Sequence, residues 1–403
     1  MNTTKSTICQ KDGQRKIIQK QLAMMLLLLL ALILPAAAFA QVAPEYTKTC
    51  VMEAQNPGKS QYLRDNTHLR VWISKKGGSL TLTTKEGSPL AGLYLVFREK
   101  PSSYTVSVEI DGDWVDLGEG DLRYYQVYLS LPECTSVRVT VAEKERFNLT
   151  QMRLFGPGEL PEDVHVWQDP PEQCDMLFMS THPDDELLFL GGVLTQYAKV
   201  EKKTIVVSEM TMGTERRMNE LLDGLWHCGV RYYPIVGAFP DRWSHGLKMG
   251  YEKWDQNEIE SFMTEVVRRT KPQVIVTQDL DGEYGHGAHM VTARGAIFAY
   301  ENAGDAEVWP ESASAYGVWE PKKIYVHLYQ EGAMTFDFRQ PLDALEGRTV
   351  LEVVKEAFEL HETQRKVGFR VNDLNETGIS YFGLYSSRVG EDDKLFDFFN
   401  HIE

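Results

Sequence analysis

The hydrophobic pattern of this chain changes period once, and that change constrains the fold more than any other feature. From residue 46 to 155 the apolar positions alternate with polar ones. Val106, Val108 and Ile110 alternate with Ser107 and Glu109; Asp111-Gly112 makes a hairpin turn; Trp114 and Val115 open the return strand. Leu80 and Leu82 repeat the pattern, as do Val137, Val139 and Val141. No segment here has the period of a long amphipathic helix, so residues 45–157 are expected to form an antiparallel β-sandwich or jelly roll. Residues 158–172, rich in Pro, Gly and acid, read as a linker. Beyond them, strands expected at 176–180, 204–208, 232–236, 274–277 and 323–328 alternate with helices expected at 187–200, 216–228, 259–269, 289–302 and 350–366. That alternation predicts a parallel-sheet α/β domain over 173–403, with ligands beyond the C-terminal ends of its strands.

The first forty residues read as an address. Basic residues run up to Lys20, then residues 22–34 are uncharged and leucine-rich, Pro35 breaks the helix, and Ala38-Phe39-Ala40 forms a small-x-small cleavage pattern. Thirteen apolar residues are too few for a bilayer span of roughly 20. A signal peptide over 1–40, cleaved after Ala40, and a secreted, periplasmic or extracellular protein are expected; an uncleaved signal anchor is the alternative. The whole chain has a formal charge of −16 over 403 residues, and loss of the basic leader makes the remainder about −20. A body that acidic is repelled by phosphate backbones and anionic lipid heads, which excludes nucleic acid as an expected partner. No stable membrane insertion is expected after cleavage, and nothing in the sequence specifies an oligomeric state. Four cysteines follow the leader: Cys50, Cys134, Cys174 and Cys228. In an oxidising compartment they permit three pairings, of which Cys50–Cys134 with Cys174–Cys228 is expected, and buried thiols are the alternative.

Two segments fall where an α/β sheet puts function. Thr181-His182-Pro183-Asp184-Asp185-Glu186 follows the strand at 176–180, and Asp281-Gly282-Glu283-Tyr284-Gly285-His286-Gly287-Ala288-His289 follows the one at 274–277. Imidazole nitrogen and carboxylate oxygen at about 2.0–2.2 Å are standard zinc ligands. His182 and Asp185, at i and i+3, reach one point from a single turn, and His289 supplies a third ligand from the second loop. Asp184 points elsewhere and is free to act as a base towards water acidified by the metal. His286, as an imidazolium, is suited to support the oxyanion of a tetrahedral intermediate. Taken alone, either segment has a bland explanation, as helix-capping aspartates or as a structural His-x-x-His; their joint occurrence at two strand exits points to a metal site.

These residues carry a family resemblance. The half from about residue 175 onward resembles the PIG-L/LmbE zinc-dependent de-N-acetylases, through His182-Pro183-Asp184-Asp185-Glu186 and through Tyr284-Gly285-His286 with His289. Arg217-Met218-Asn219-Glu220 is similar to the family's Arg-x-x-Glu helix, and His361-Glu362-Thr363-Gln364 to its later His-x-Ser-Gln. The resemblance implies a Rossmann-like fold and Zn2+ held by His182, Asp185 and His289. It implies Asp184 as general base and later acid, His286 as oxyanion stabiliser, Tyr284 as a mobile residue polarising the substrate carbonyl, and Arg217 as a substrate contact. A salt bridge from Arg217 to Glu220 is the plainer alternative for that arginine. The family's second motif commonly reads His-Pro-Asp-His, whereas here it is His286-Gly287-Ala288-His289; Ala288 removes a carboxylate that would orient a neighbouring histidine. Asp279, Asp281 and Glu283 are candidates to replace it.

Residues 45–157 resemble galactose-binding-like, discoidin-type sandwiches through the run at 104–117 and the closing strand at 149–155. Trp72, Tyr124, Tyr125 and Tyr128 are candidate sugar-stacking rings, with core packing as the alternative. The expectation is an exported zinc-dependent hydrolase that removes acetyl from an N-acetylglucosamine-type sugar or glycan. Two alternatives remain: an amidase cutting a larger acyl group from an amino-sugar conjugate, and a catalytically decayed carbohydrate-binding protein. The loop at 239–243 is expected to shape the sugar pocket, with Trp243 either stacking on a pyranose ring or packing against the linker.

Overall fold

The structure, a computed structural model, describes residues 41–402 except 56, 57, 66, 374, 375, 394 and 395. The expected signal peptide lies outside the described residues. The chain divides into two compact units. In the first, residues 41–44 pair with 158–160: the Ala43 N–H donates to Glu159 O at 2.8 Å and the Glu159 N–H to Gln41 O at 3.0 Å. The second holds everything else.

Among the described residues of the second unit, nine strands come first: β1 (Val51–Ala54), β2 (Trp72–Ile73), β3 (Ser79–Thr83), β4 (Leu90–Phe97), β5 (Tyr104–Ile110), β6 (Asp113–Glu119), β7 (Gln126–Cys134), β8 (Ser136–Val141) and β9 (Asn148–Phe155). They form two antiparallel sheets, ordered β1-β3-β8-β5-β6 and β2-β9-β4-β7. Alternation explains the burial: β5 buries Tyr104, Val106 and Val108 and leaves Thr105 exposed. Asp111 and Gly112, with φ of 53° and 87°, make the β5–β6 turn, as a two-residue hairpin of this hand requires. The candidate sugar-stacking rings are packing residues instead. Trp72, Tyr124 and Tyr125 are buried and Tyr128 is half-buried. Tyr124 donates to Asp169 Oδ1 at 2.6 Å and lies 4.6 Å from the Tyr233 ring, because this face of the sheet is covered by the α/β layer.

The α/β layer contains β10 (Met176–Ser180), β11 (Ile205–Glu209), β12 (Ile235–Val236), β13 (Val274–Thr277), β14 (Lys323–His327), β15 (Ala333–Thr335) and β16 (Tyr381–Ser387). Their order is β12-β11-β10-β13-β14-β16-β15. β12 to β14 run parallel, and β16 and β15 antiparallel. The sheet is therefore mixed where a wholly parallel one was expected; β16 runs antiparallel to β14 and the short β15 pairs antiparallel with β16 at the edge, as is common in large sheets. β10 is apolar throughout because it is buried on both faces: Met176 and Phe178 pack on one side, Leu177 and Met179 on the other.

The helices are α1 (Asp185–Leu188), α2 (Gly191–Thr195), α3 (Glu215–His227), α4 (Gly246–Lys253), α5 (Gln256–Thr270), α6 (Gly287–Asn302), α7 (Pro310–Tyr316), α8 (Val350–Glu359) and α9 (Glu362–Val367). Two expected long helices are broken. The one expected at 187–200 is split into α1, α2 and a π-turn at Gln196–Val200. Gly192 there lies so close to Phe338 that a Cβ would meet its ring at 2.1 Å. The one expected at 350–366 stops at Glu359, and His361 turns out of helical geometry at φ −79°, ψ 63°.

From residue 161 on, the segment expected as a linker is tied down within the second unit: Val164, His165 and Trp167 are buried, and Trp226 Nε1 donates to Glu162 O at 2.6 Å. Helix α3 joins the sandwich strands to the α/β layer, with Gln126 donating to Asp223 Oδ1 at 2.8 Å and Asn219 to Phe97 O at 2.9 Å. The expected disulfides do not form. All four described cysteines are free and buried, and Cys174 and Cys228 belong to cores on opposite faces of the seven-stranded sheet. No helix among the described residues is long and apolar enough to cross a membrane.

Candidate active site

Parallel strands β11, β10, β13 and β14 lie side by side, so the chain leaves all four at one edge of the sheet. The β10 exit carries His182, Asp184 and Asp185; the β13 exit carries Glu283, Tyr284 and His286 and runs into α6, whose first turn holds His289. Convergence of the two exits makes a triangle of donor atoms. His182 Nδ1 lies 3.0 Å from Asp185 Oδ2, His289 Nε2 lies 3.2 Å from the same oxygen, and the two nitrogens are 3.3 Å apart. For bonds of about 2.0–2.2 Å, neighbouring vertices of a ligand tetrahedron are about 3.3–3.6 Å apart. The three buried side chains stand at or just inside that spacing, so an outward shift of a few tenths of an ångström seats them at three corners of a four-coordinate divalent ion, with the fourth corner left over.

The supporting contacts fix which atoms face that centre. Glu283 Oε2 lies 2.7 Å from His289 Nδ1, which must donate to a carboxylate, so Nε2 is the nitrogen that faces the triangle. The other Glu283 oxygen lies 2.7 Å from His327 Nδ1, and His327 Nε2 lies 2.9 Å from Gly378 O. The His182 N–H donates to Asp185 Oδ2 at 2.9 Å, closing the first motif on itself. Burial pushes the Glu283 carboxyl up, but hydrogen bonds and charge from His289 and His327 outweigh it and hold it at about 2. Burial opposes charge on His289, yet Asp185 and Glu283 raise it to about 10. Against the same burial, His289 and His182 hold Asp185 well below the usual carboxylate range.

Asp184 differs from its neighbour, as the sequence reading expected. Its backbone takes φ 142°, a strained value for a residue with a Cβ, and its carboxyl pairs with Arg217 rather than joining the donor triangle. Burial and the adjacent Asp185 charge push its carboxyl well above the usual range, while Arg217 pulls it down. Arg217 Nη2 donates to Asp184 Oδ1 and to Pro183 O, both at 2.7 Å, and Nη1 donates to Asp241 Oδ2 at 2.9 Å. The plainer pairing of Arg217 with Glu220 is not made; Arg216 takes Glu220 instead, at 3.0 Å.

His286 stacks against His289 with centroids 4.5 Å apart. Its Nδ1 accepts the Ala288 N–H at 3.2 Å, which a doubly protonated ring cannot do, and burial together with His289 and His182 lowers its pKa to about 3. The ring is thus neutral with its proton on Nε2, not the imidazolium expected. The missing carboxylate at 288 is not replaced beside His286. Of the three candidates, Glu283 is the one engaged, and it orients His289. Tyr284, at φ 51°, is 46% exposed, and its ring lies parallel to that of Trp243 at 6.4 Å. Trp243, 63% exposed, also meets the His286 ring edge-on at 4.6 Å, so it borders the site rather than the segment before β10.

All seven site residues chosen from sequence thus gather at one edge of the sheet. His327 and Asp241 were not among them. His327 ends β14, beside β13, and the strand-exit rule applied to a third strand would have found it. Asp241, whose Oδ1 lies 3.7 Å from His182 Nε2, belongs to the loop expected to shape the pocket, but nothing in its local sequence points at His182.

Residues 177–300 match the family model described as PIG-L: GlcNAc-PI de-N-acetylase. The segment carrying the triangle is therefore similar to PIG-L-type domains. Its curated relatives are deacetylases. The 1D-myo-inositol 2-acetamido-2-deoxy-alpha-D-glucopyranoside deacetylase of Streptomyces avermitilis is 30% identical over 180 residues, covering 37% of this chain and 60% of the relative. The protein of the same name from Thermomonospora curvata is 28% identical over 203 residues, covering 42% and 66%. The chain spans less than two thirds of either relative. Among solved structures, the N,N'-diacetylchitobiose deacetylase from Pyrococcus horikoshii aligns over 53% of this chain and 85% of its own, at 16% identity and a TM-score of 0.40.

Two results follow from the contacts of His289. In the metal-free protein its ring is protonated below about pH 10, and a ligand nitrogen must be free, so metal binding at neutral pH expels a proton. Calorimetric titration in buffers of different ionisation enthalpy is expected to find close to one proton released per ion, and affinity falling about tenfold per pH unit as the pH drops. Glu283→Gln is expected to weaken metal affinity by about 10–100-fold, measured by competition with a chromogenic chelator. Because the Glu283 carboxyl is depressed, its contribution to stability is full above about pH 4.5 and lost as pH falls towards about 2. The Tm difference between wild type and Glu283→Gln, both metal-free, is expected to narrow over that interval.

Proposed function

We propose that this chain is an exported, zinc-dependent hydrolase that removes the acetyl group from an N-acetylglucosamine-type amino sugar in a glycan or glycoconjugate. One observation carries the reading: two imidazole nitrogens and a carboxylate oxygen, all buried, sit at the mutual spacing of ligands on a four-coordinate ion. His182, Asp185 and His289 would hold that ion, and when bound it would acidify water and polarise an amide carbonyl. The deacetylase relatives support the same reaction class.

The chain's own residues supply the remaining chemistry. Asp184 accepts the proton of the attacking water and returns it to the departing amine; burial and Asp185 raise its carboxyl, Arg217 opposes them in part, and a raised carboxyl suits a group that must also act as the acid. Arg217 also borders the substrate side through Asp241. His286, with its remaining hydrogen on Nε2, donates to the oxyanion of the tetrahedral intermediate as a neutral ring. Tyr284 is placed to add a second donor, and Trp243 offers an exposed ring to the apolar face of a pyranose. The leader expected from the sequence supports a substrate outside the cytoplasm, and the acidic body favours a neutral glycan over an anionic glycolipid. The two antiparallel sheets fit a galactose-binding-like module, although its candidate rings are buried.

The test is acetate release from a panel of N-acetylated sugars, with and without a chelator, using the mature protein. Chelator-sensitive acetate, restored by zinc, is the expected result. Release only from conjugates with larger acyl groups would make the protein an amidase. No release with metal bound would leave a sugar-binding protein with a spent site.

A further inference from the structure

Two motif residues, Glu186 and His361, have no part in the chemistry above, yet both are fully buried against it. Asp184 holds φ 142°, ψ −28°, a strained conformation that persists only where neighbours impose it. Its N–H donates to Glu186 Oε2 at 2.7 Å, the short distance of a hydrogen bond to a charged acceptor. The other Glu186 oxygen lies 3.0 Å from His361 Nε2, in contact but without the alignment of a hydrogen bond. His361 occupies the break between α8 and α9, stacked on Phe358 with centroids 5.9 Å apart. Two residues on, the Thr363 hydroxyl donates to Glu220 Oε2 at 2.5 Å and its N–H to Glu220 Oε1 at 3.2 Å. Glu220 lies on α3, the helix that carries Arg217, so both restraints on Asp184 lead back to α3.

We propose that Glu186, packed against His361, is a positioning residue that holds the Asp184 backbone in its strained turn and so keeps the Asp184 carboxyl on Arg217. The proposal rests on the reading of Asp184 as general base. Without the Glu186 acceptor, a buried N–H loses its partner, the turn relaxes, and the Asp184 carboxyl loses its aim.

The experiment compares Glu186→Ala, Glu186→Gln, His361→Ala and Asp184→Asn in the full mature protein. Glu186→Ala is expected to lower kcat about 100-fold, with KM within about threefold and wild-type metal content by elemental analysis. Glu186→Gln keeps an oxygen for the Asp184 N–H and is expected to stay within about tenfold of wild type. In the metal-free protein, hydrogen–deuterium exchange of residues 181–188 is expected to quicken about tenfold or more in Glu186→Ala and stay near wild type in Glu186→Gln. If Glu186→Ala does not fold, His361→Ala, expected to lose about fivefold to tenfold in kcat and to quicken the same exchange, carries the test. Wild-type kcat, or unchanged exchange, in the folded alanine variants would overturn the proposal. An equal deficit in Glu186→Gln and Glu186→Ala would overturn it too. Asp184→Asn separates the two readings: if it keeps the wild-type rate, the general base is wrong, while exchange at 181–188 still judges the anchor.

Discussion

Asp184→Ala is expected to reduce acetate release by about a hundredfold to ten-thousandfold while the protein stays folded and loaded with metal. The two halves of that result have separate causes. Asp184 contributes no atom to the donor triangle, which consists of His182 Nδ1, Asp185 Oδ2 and His289 Nε2, so removing its carboxyl leaves the ligands in place. The same carboxyl is the acid–base group beside the site, buried and paired with Arg217 at 2.7 Å. Its loss also leaves Arg217 with Pro183 O and Asp241 as partners. Steady-state rates per equivalent of bound metal are the measurement, and a wild-type rate would remove Asp184 from the mechanism.

His289→Ala or His182→Ala is expected to have the opposite signature, losing the metal first and activity as a consequence. If a zinc site is worth about 10–16 kcal/mol, each of three protein ligands accounts for roughly 3–5 kcal/mol, or roughly 10²–10⁴-fold in affinity. The larger loss is expected at His289. Its removal also strands the fully buried Glu283 carboxylate, which His289 and His327 now share. His289→Ala is thus expected to lower Tm even without metal, whereas His182→Ala, whose ring contacts Asp185 and lies 3.7 Å from Asp241, disturbs the fold less. Unchanged metal content in either variant would overturn the ligand assignment.

Much of the site was legible before the structure because its geometry is local or follows strand direction. The i, i+3 spacing of His182 and Asp185 puts both on one turn, and the apolar runs at 176–180 and 274–277 identify the two strand exits that meet. Glu283 was one of three acids, and only the turn at Tyr284, with φ 51°, decides which carboxylate reaches His289. The charge of His286 was misread because the Ala288 N–H, a backbone group with no signature in residue type, reaches its Nδ1. His327 was passed over because a histidine ending a buried strand looks like any core histidine until its neighbour across the sheet is known.

What the sequence by itself determined are the quantities that depend on spacing along the chain: the switch from sandwich to α/β layer, the places of most strands and helices, and which residues meet in the donor triangle. The tertiary structure decided what depends on partners distant in sequence. It set the antiparallel edge of the large sheet, the breaks at Phe189-Leu190 and His361, the four free thiols, the burial of the sandwich aromatics, and the hold of Glu186 and Glu283 on the two motifs. The physical reason is range. Periodicity and turn chemistry act over a few residues, whereas a hydrogen bond between elements a hundred residues apart exists only when packing brings donor and acceptor within about 3 Å.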